Sequence, residues 1–209
     1  VSRGLGDVYK RQALLLGQTW HPLYGDVAPQ ILNLNMGAPF QPFSRAPQIR
    51  YRYKTGDIQI TGAALWQSQY LSQGPEGKSQ KYIKNSCVPE IYAGIDYKHK
   101  GLLIGAGIEM VSLTPRTQAT VEDKIYKVSE RITSLSYEVH MKYNSEKWLV
   151  AAKSVLGSNL TQTSMLGGYG IKSIDPRTGE QEYSPNRNSS SWINIVYGKT
   201  WKPAIFFGY

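Results

Sequence analysis

Two alternating segments joined by a tight turn decide the fold, and they lie at Gln48–Gln67, which reads QIRYRYKTGDIQITGAALWQ. In the first segment, Arg50, Arg52 and Lys54 alternate with apolar or aromatic residues. In the second segment, apolar or small residues recur at every second position from Ile58 onward. Such alternation predicts β-strands with one apolar and one polar face. The turn KTGD between the two segments predicts that they form an antiparallel hairpin.

The same hairpin plan recurs along the rest of the chain. The further predicted pairs are Glu90–Tyr97 with Leu102–Ser112, Arg131–Tyr143 with Trp148–Leu156, and Ser191–Tyr197 with a last strand that ends at Tyr209. Many of these runs are long enough for a tilted membrane strand, which needs ~9–11 residues. Strands of soluble sheets are usually shorter, about 5–6 residues. Strand length therefore favours an antiparallel transmembrane β-barrel.

Short and long connections alternate strictly between these strands. The long, polar connections are residues 22–46, 72–88, 115–130 and 158–190. Aromatic residues stand beside the short turns, namely Tyr53, Tyr97, Tyr143, Trp148, Tyr197 and Trp201. Outer-membrane barrels have short periplasmic turns, long external loops and aromatic girdles at both rims. A soluble β-sandwich has no reason to place every long loop at one end, so the pattern again favours a membrane barrel.

The composition suits a barrel with an apolar exterior and a wet interior. The 209 residues include 20 Gly, 15 Tyr and 5 Trp, and the mean hydropathy is −0.39. No run approaches the roughly 18 consecutive apolar residues that indicate a membrane-spanning helix. The formal net charge of +9 is compatible with nucleic acid, an anionic membrane surface or acidic solutes. The single Cys87 permits no internal disulfide.

Both ends of the chain differ from a complete barrel domain. Val1–Gln12, VSRGLGDVYKRQ, resembles the translation of a sequencing adapter, so we predict that residues 1–12 are not part of the protein. Residues 13–209 would then be a fragment of a single barrel domain, because the last residues, IFFGY, stop inside an apolar stretch. With Leu14–His21 as a further strand, the fragment has about nine strands, whereas bacterial single-chain barrels have even numbers.

A family resemblance rests on two segments near the start of the chain. GQTWHPLYG at Gly17–Gly25 and RAPQIRYRY at Arg45–Tyr53 resemble the DcaP-like family of outer-membrane porins. The resemblance implies a homotrimer of barrels, each with about sixteen strands, that takes up small anionic organic acids. It also implies that Pro22–Ser44 is a constricting loop. The pore-lining residues that it implies are Arg45, Arg50 and Arg52. The chain departs from the family pattern at His21–Tyr24.

The charges of the strand Gln48–Lys54 predict, independently of any family, that its basic face lies toward the lumen. A lipid-facing Arg near the bilayer midplane costs about 2–4 kcal/mol, so Arg50, Arg52 and Lys54 must face the lumen. A ladder of cations attracts carboxylates, and a guanidinium can hold one with two hydrogen bonds. The polar faces of the other strands add further predicted pore-lining residues: Glu109, Glu138, His140 and Lys142. The alternative is a generic polar wall, in which the cations pair with inward acids such as Glu90 and Asp96.

Other functional classes find little support in the sequence. Of the three histidines, His21 opens a loop, His99 lies in a turn and His140 faces inward, so no catalytic triad is evident. Isolated histidines without Cys or Asp at ligand spacing indicate no metal site, and we expect no cofactor. A nucleic-acid stacking platform needs aromatic and basic residues on one face, whereas Tyr51 and Arg52 lie on opposite faces.

We therefore predict a porin of the bacterial outer membrane and not an enzyme. The expected activity is passive diffusion of small hydrophilic solutes with a preference for small organic anions. The expected partners are these solutes and outer-membrane lipid, but not nucleic acid. A structural or adhesive barrel without a transport role is the alternative function.

Overall fold

The computed structural model describes residues 3–9, 11–31 and 37–209, with the backbone alone for residues 3–9. The strands are β1 (Arg3–Tyr9), β2 (Gln12–Trp20), β3 (Arg45–Thr55), β4 (Ile58–Leu65), β5 (Gln73–Gly74), β6 (Gly77–Lys78), β7 (Glu90–His99), β8 (Leu102–Leu113), β9 (Gln118–Val121), β10 (Lys124–Lys127), β11 (Ile132–Asn144), β12 (Trp148–Ser158), β13 (Tyr169–Ile174), β14 (Gln181–Pro185), β15 (Arg187–Tyr197) and β16 (Ala204–Gly208). The one α-helix of the described residues is α1 (Lys81–Ser86), and a 3-10 turn covers Thr161–Thr163. None of the described helical residues forms a helix with the length and apolarity required to cross a membrane.

One antiparallel sheet of ten strands dominates the structure. Its spatial order is β1-β2-β3-β4-β7-β8-β11-β12-β15-β16, so every strand pairs with the next one along the chain within this sheet. Tight turns join β3 to β4, β7 to β8, β11 to β12 and β15 to β16, which confirms the predicted hairpins. Within the described residues, β1 and β16 are the free edges and the sheet is open.

The nine predicted strands are all present, and the tenth comes from the segment that we set aside. The backbone of Arg3–Tyr9 pairs with β2, from Arg3 opposite Gln18 to Tyr9 opposite Gln12. Residues 1, 2 and 10 lie outside the described residues. That residues 1–12 derive from an adapter stays a prediction, because a paired backbone does not reveal the origin of the coding sequence.

The two faces of the sheet have the opposite polarity to those of a soluble protein. On β11, the Tyr137 and Val139 side chains are 49% and 57% exposed, whereas Glu138 and His140 are 3% and 8% exposed. Strict alternation puts successive side chains on opposite faces, so the apolar residues share one outer face and the polar residues one inner face. An exposed apolar face over a polar interior is the arrangement of a barrel in a membrane.

The first long connection folds against the inner face of the sheet. We call residues 21–44 the inner loop; residues 32–36 of it lie outside the described residues. Lys153 on β12 donates from Nζ to the carbonyl oxygens of Leu23 and Tyr24, at 2.7 and 2.8 Å. Trp192 on β15 donates from Nε1 to Gln41 Oε1 at 2.9 Å. The described part of the loop therefore lies inside the barrel wall, as the family resemblance implies.

The other long connections, whose polar sequences predict loops, contain regular secondary structure. They form the small hairpins β5–β6, β9–β10 and β13–β14 and the helix α1. Apolar side chains from them pack on the loop ends of the sheet strands, in a cluster made of Tyr82, Ile83, Val111, Leu113, Ile132, Tyr169 and Tyr183. Burying these side chains stabilises the loops on the external side of the barrel.

Candidate pore site

The basic ladder of β3 lies on the inner face. Arg50 is 7% exposed and Arg52 is half-buried, while Ile49 and Tyr51 between and beside them face outward. Arg50 donates from Nε to Gln48 Oε1 at 2.8 Å, and its Nη2 donates to the carbonyl oxygen of Trp20. These neutral acceptors orient the Arg50 guanidinium without cancelling its charge.

The inner loop brings an acid opposite the basic ladder. Asp26 accepts a hydrogen bond from Lys98 Nζ at 2.9 Å, and Lys98 lies on the inner face of β7. A crevice of about 30 Å³ separates the loop from the wall; its lining includes Pro22, Asp26, Arg50, Arg52 and Tyr92. That volume has room for water and nothing larger, so the crevice is a narrow wet gap between loop and wall.

The acids of the wall are occupied by partners other than the arginines. Glu138 accepts a hydrogen bond from Tyr92 Oη at 3.0 Å and lies 2.9 Å from His140 Nδ1. Asp96 lies 3.0 Å from His140 Nε2 and accepts a hydrogen bond from Gln59. Among the described residues, no carboxylate forms an ion pair with Arg50 or Arg52. The generic-wall alternative required such pairs.

Glycines on the inner face make room for the large side chains of this polar cluster. A Cβ atom on Gly107 or Gly94 would collide with the Tyr92 ring, and one on Gly105 would collide with Asp96 and His140. The positions of these glycines show a packing role, because they let Tyr92 cross the neighbouring strand and reach Glu138.

The predicted pore-lining residues do not all lie in one place. Arg45 is a correction: it shares the strand side of Ile49 and Tyr51, and its guanidinium carbon lies 5.3 Å from the centre of the Trp20 ring at the loop end of β3. Lys54 is exposed beside the short turn, at the opposite end of the strand. Lys142 is half-buried on β11, opposite Ala151 and Leu103.

Glu109 differs from the prediction in another way. It lies on the inner face of β8, but it is fully buried beneath the inner loop and contacts His21. It therefore borders the loop and not the open part of the lumen.

Several residues of the site were missed from the sequence. Lys98 shares the inner face of β7 with Tyr92 and Asp96, so the alternation already contained the signal for it. Lys153 follows in the same way from the alternation of β12. Asp26 had no such signal, because its position depends on how the inner loop folds.

A charged network ties the external loops together. Arg116 donates to both carboxylate oxygens of Glu130, and Tyr183 Oη donates to Glu130 Oε2 at 3.0 Å. Burial opposes ionisation of Glu130, but hydrogen bonds from Arg116, the Gln181 amide and Tyr183 outweigh it and lower the pKa of this carboxyl. The network links the connection after β8 to the β13–β14 hairpin.

Comparison with known proteins identifies the fold. The chain is similar in structure to a loop L8 deletion mutant of OmpT, an outer membrane protein of Vibrio cholerae, with a TM-score of 0.56 and 11% sequence identity. The match covers 99% of this chain and 60% of that one, so the chain spans about 60% of the length of that protein. This chain has the fold of an outer-membrane β-barrel. With the apolar outer face, this fold places the sheet in the bacterial outer membrane.

Other comparisons add less. Outer-membrane expressed OmpT of Vibrio cholerae matches with a TM-score of 0.45 and 12% identity, over 100% of this chain and 69% of that one. No protein-family model matches the chain, and no curated protein matches it either.

Proposed function

We propose that the protein is an outer-membrane porin that lets small hydrophilic solutes diffuse passively and favours small organic anions. The observation that carries this proposal is the pair Arg50 and Arg52 on the inner face, with which no carboxylate of the described residues forms an ion pair, although Asp26 attracts both across the crevice. Their fixed positive charges attract carboxylates, and no covalent chemistry is required. The resemblance to DcaP-like porins supports the same class of solute.

Acidic and basic side chains both lie near the Arg50–Arg52 ladder, so the electrostatic attraction for an anion differs between the wall and the inner loop. An ion pair between Asp26 of the inner loop and Lys98 of β7 joins the loop to the wall, and Arg50 and Arg52 line the same crevice as Asp26. A small carboxylate that passes through the open part of the lumen is attracted by the two guanidinium groups, whereas Asp26 disfavours its stay next to the inner loop. Weak attraction of this kind permits selection without trapping.

The test of this proposal is a liposome-swelling assay with the full-length protein. A small dicarboxylate, a neutral sugar and a diamine of similar size are compared for the wild type and for Arg50→Gln with Arg52→Gln. We expect the wild type to pass the dicarboxylate fastest. In the double variant, the ratio of the dicarboxylate rate to the sugar rate should fall about tenfold, because two fixed charges are removed. The matched control is Lys54→Gln, which lies at the exposed turn and should change the preference little.

Two outcomes would contradict the proposal. If the double variant keeps the wild-type preference, the ladder does not select anions. If the folded wild type passes none of the three solutes, the structural or adhesive barrel becomes the better account.

We also propose that the full-length protein is a homotrimer of larger barrels, on the strength of the family resemblance. An outer-face groove of about 750 Å³, where the small residues Ala106, Ala152 and Ser154 lie among larger ones such as Ile104 and Val139, offers a surface on which a neighbouring barrel can pack. Native mass spectrometry in detergent should find three copies, and a monomer at all protein concentrations would refute this assembly.

A further inference from the structure

Three side chains with metal-binding atoms meet under the start of the inner loop. His21 follows the end of β2, Glu90 begins β7 and Glu109 lies on β8. All three are buried, with exposures of 1%, 1% and 0%. His21 Nε2 lies 3.0 Å from Glu109 Oε1 and 3.5 Å from Glu90 Oε2, and one ligand atom from each residue falls within 4.8 Å of the others.

His21 Nε2 and Glu109 Oε1 are close enough for an ion pair, but their contact does not have hydrogen-bond angles. Although His21 Nε2 and Glu109 Oε1 are close, neither atom has a hydrogen-bond partner among the described residues, and neither has Glu109 Oε2. A buried polar atom is normally paired, so unpaired atoms that converge on one point require an explanation. Atoms that surround a bound cation satisfy this geometry, because each directs a lone pair at the ion.

The charge of the cluster points the same way. Two buried carboxylates repel each other, and burying a charge is costly unless it is paired or bound to a metal. Among the described residues, His21 is the one basic side chain that forms an ion pair with either Glu90 or Glu109. A divalent cation would neutralise both carboxylates at once.

Neighbouring groups orient Glu90 and contact the other ring nitrogen of His21. Gln67 donates from Nε2 to Glu90 Oε1 at 2.6 Å, which leaves Glu90 Oε2 facing His21. The Leu23 amide donates to His21 Nδ1 at 3.2 Å. When a neutral imidazole binds a metal through Nε2 its proton sits on Nδ1, so binding would replace this one long hydrogen bond.

We propose that His21 Nε2 and one carboxylate oxygen each from Glu90 and Glu109 bind a divalent transition-metal ion such as Zn²⁺. One imidazole and two carboxylates suit Zn²⁺ and its neighbours in the first transition row better than Mg²⁺ or Ca²⁺, which prefer oxygen ligands alone. Because His21 opens the inner loop, the ion fastens the loop to the strands β7 and β8. This site uses no residue of the Arg50–Arg52 ladder, and the proposal does not depend on the proposed transport function.

The test is metal analysis of the untagged full-length protein, folded in detergent with excess Zn²⁺ and then desalted. We expect about one equivalent of Zn²⁺ per folded wild-type chain by mass spectrometry of the elements, and loss of most of it in Glu109→Gln and His21→Gln. Glu138→Gln is the matched control: it changes another buried inner-face glutamate outside the cluster and should keep the metal.

Folding is checked separately, by the shift in gel mobility between heated and unheated samples. If Glu109→Gln does not fold, X-ray absorption at the zinc edge of the wild type identifies the ligands of the ion. We expect nitrogen and oxygen ligands that include one imidazole. Folded wild-type protein without zinc, zinc retained by a folded Glu109→Gln variant, or a zinc spectrum without imidazole would each overturn the proposal. Folded wild-type protein without zinc would mean that a proton, and not a metal, offsets the charge of Glu90 and Glu109.

Discussion

At the scale of single residues, Lys153 is one of the side chains that link the barrel wall to the inner loop. Its Nζ donates to two loop carbonyl oxygens and lies 4.0 Å from Glu138, in a position that is 3% exposed. A methionine there would keep the apolar stem but leave two buried carbonyl groups without their donor. We expect Lys153→Met to lower the free energy of unfolding by about 2–4 kcal/mol, since each unpaired buried group costs ~1–3 kcal/mol.

Urea unfolding of the full-length protein in detergent measures this loss. Lys142→Met is the control, because Lys142 is only half-buried and forms no ion pair within the described residues. Equal stability of the two variants would show that the loop does not depend on Lys153.

Residue by residue, the inner face was largely predictable and the inner loop was not. Arg50, Glu138 and His140 follow from alternation alone, because a period of two fixes the face of every strand position. Arg45 was misplaced because the resemblance grouped it with Arg50, although a separation of five positions along the strand puts the two on opposite sides. The meeting of His21 with Glu109 depends on a contact between distant parts of the chain, which no local pattern encodes.

At the scale of elements, the inner-face glycines of β7 and β8 set how closely the polar side chains can pack. A Cβ on Gly107 would push Tyr92 away from Glu138, whereas a Cβ on outward-facing Gly62 would have no atom within 4 Å. We expect Gly107→Ala to cost about 1–3 kcal/mol in unfolding free energy, because overpacking forces side chains from their preferred positions. Gly62→Ala should lie within about 0.5 kcal/mol of the wild type.

Thermal unfolding of both variants measures how much stability is lost at Gly107 and at Gly62. A Gly107→Ala variant as stable as Gly62→Ala would mean that Tyr92 has other room, and the packing role of the inner-face glycines would be refuted.

The external loop elements should respond to acid through Glu130. Its pKa is lowered in the folded state, so its contribution to stability is present above the ordinary carboxyl pKa and is lost as pH falls through the lowered value. Below about pH 4, we expect faster hydrogen exchange in β13–β14, after correction for the intrinsic rates. Glu130→Gln should exchange faster at neutral pH and show little further change in acid.

Glu182→Gln is the control for this effect, because Glu182 forms an exposed pair with Lys172 on the same hairpin. Acid sensitivity that persists in Glu130→Gln would assign the response to another group.

These loop elements themselves escaped prediction, since the hairpins and α1 are short and depend on the shared cluster around Tyr169 and Tyr183 for their stability.

At the scale of the whole molecule, the outer face makes the sheet a membrane structure. Val139 lies near the middle of β11 and is 57% exposed. We expect Val139→Arg to cost about 2–4 kcal/mol when the full-length protein folds into lipid vesicles, because the charge would lie near the bilayer midplane. Thr133→Arg, on the same face near the loop end of the strand, should cost only about 0–1 kcal/mol. Equal costs at the two positions would contradict the proposed membrane depth.

We propose that the Arg50–Arg52 ladder on the inner face selects anions for passive diffusion. Planar-bilayer recording of the full-length wild-type protein under a potassium chloride gradient tests it most directly. The account predicts open channels whose reversal potential has the sign of a chloride preference. A reversal potential with the sign of a potassium preference, or folded protein that never opens a channel, would contradict it.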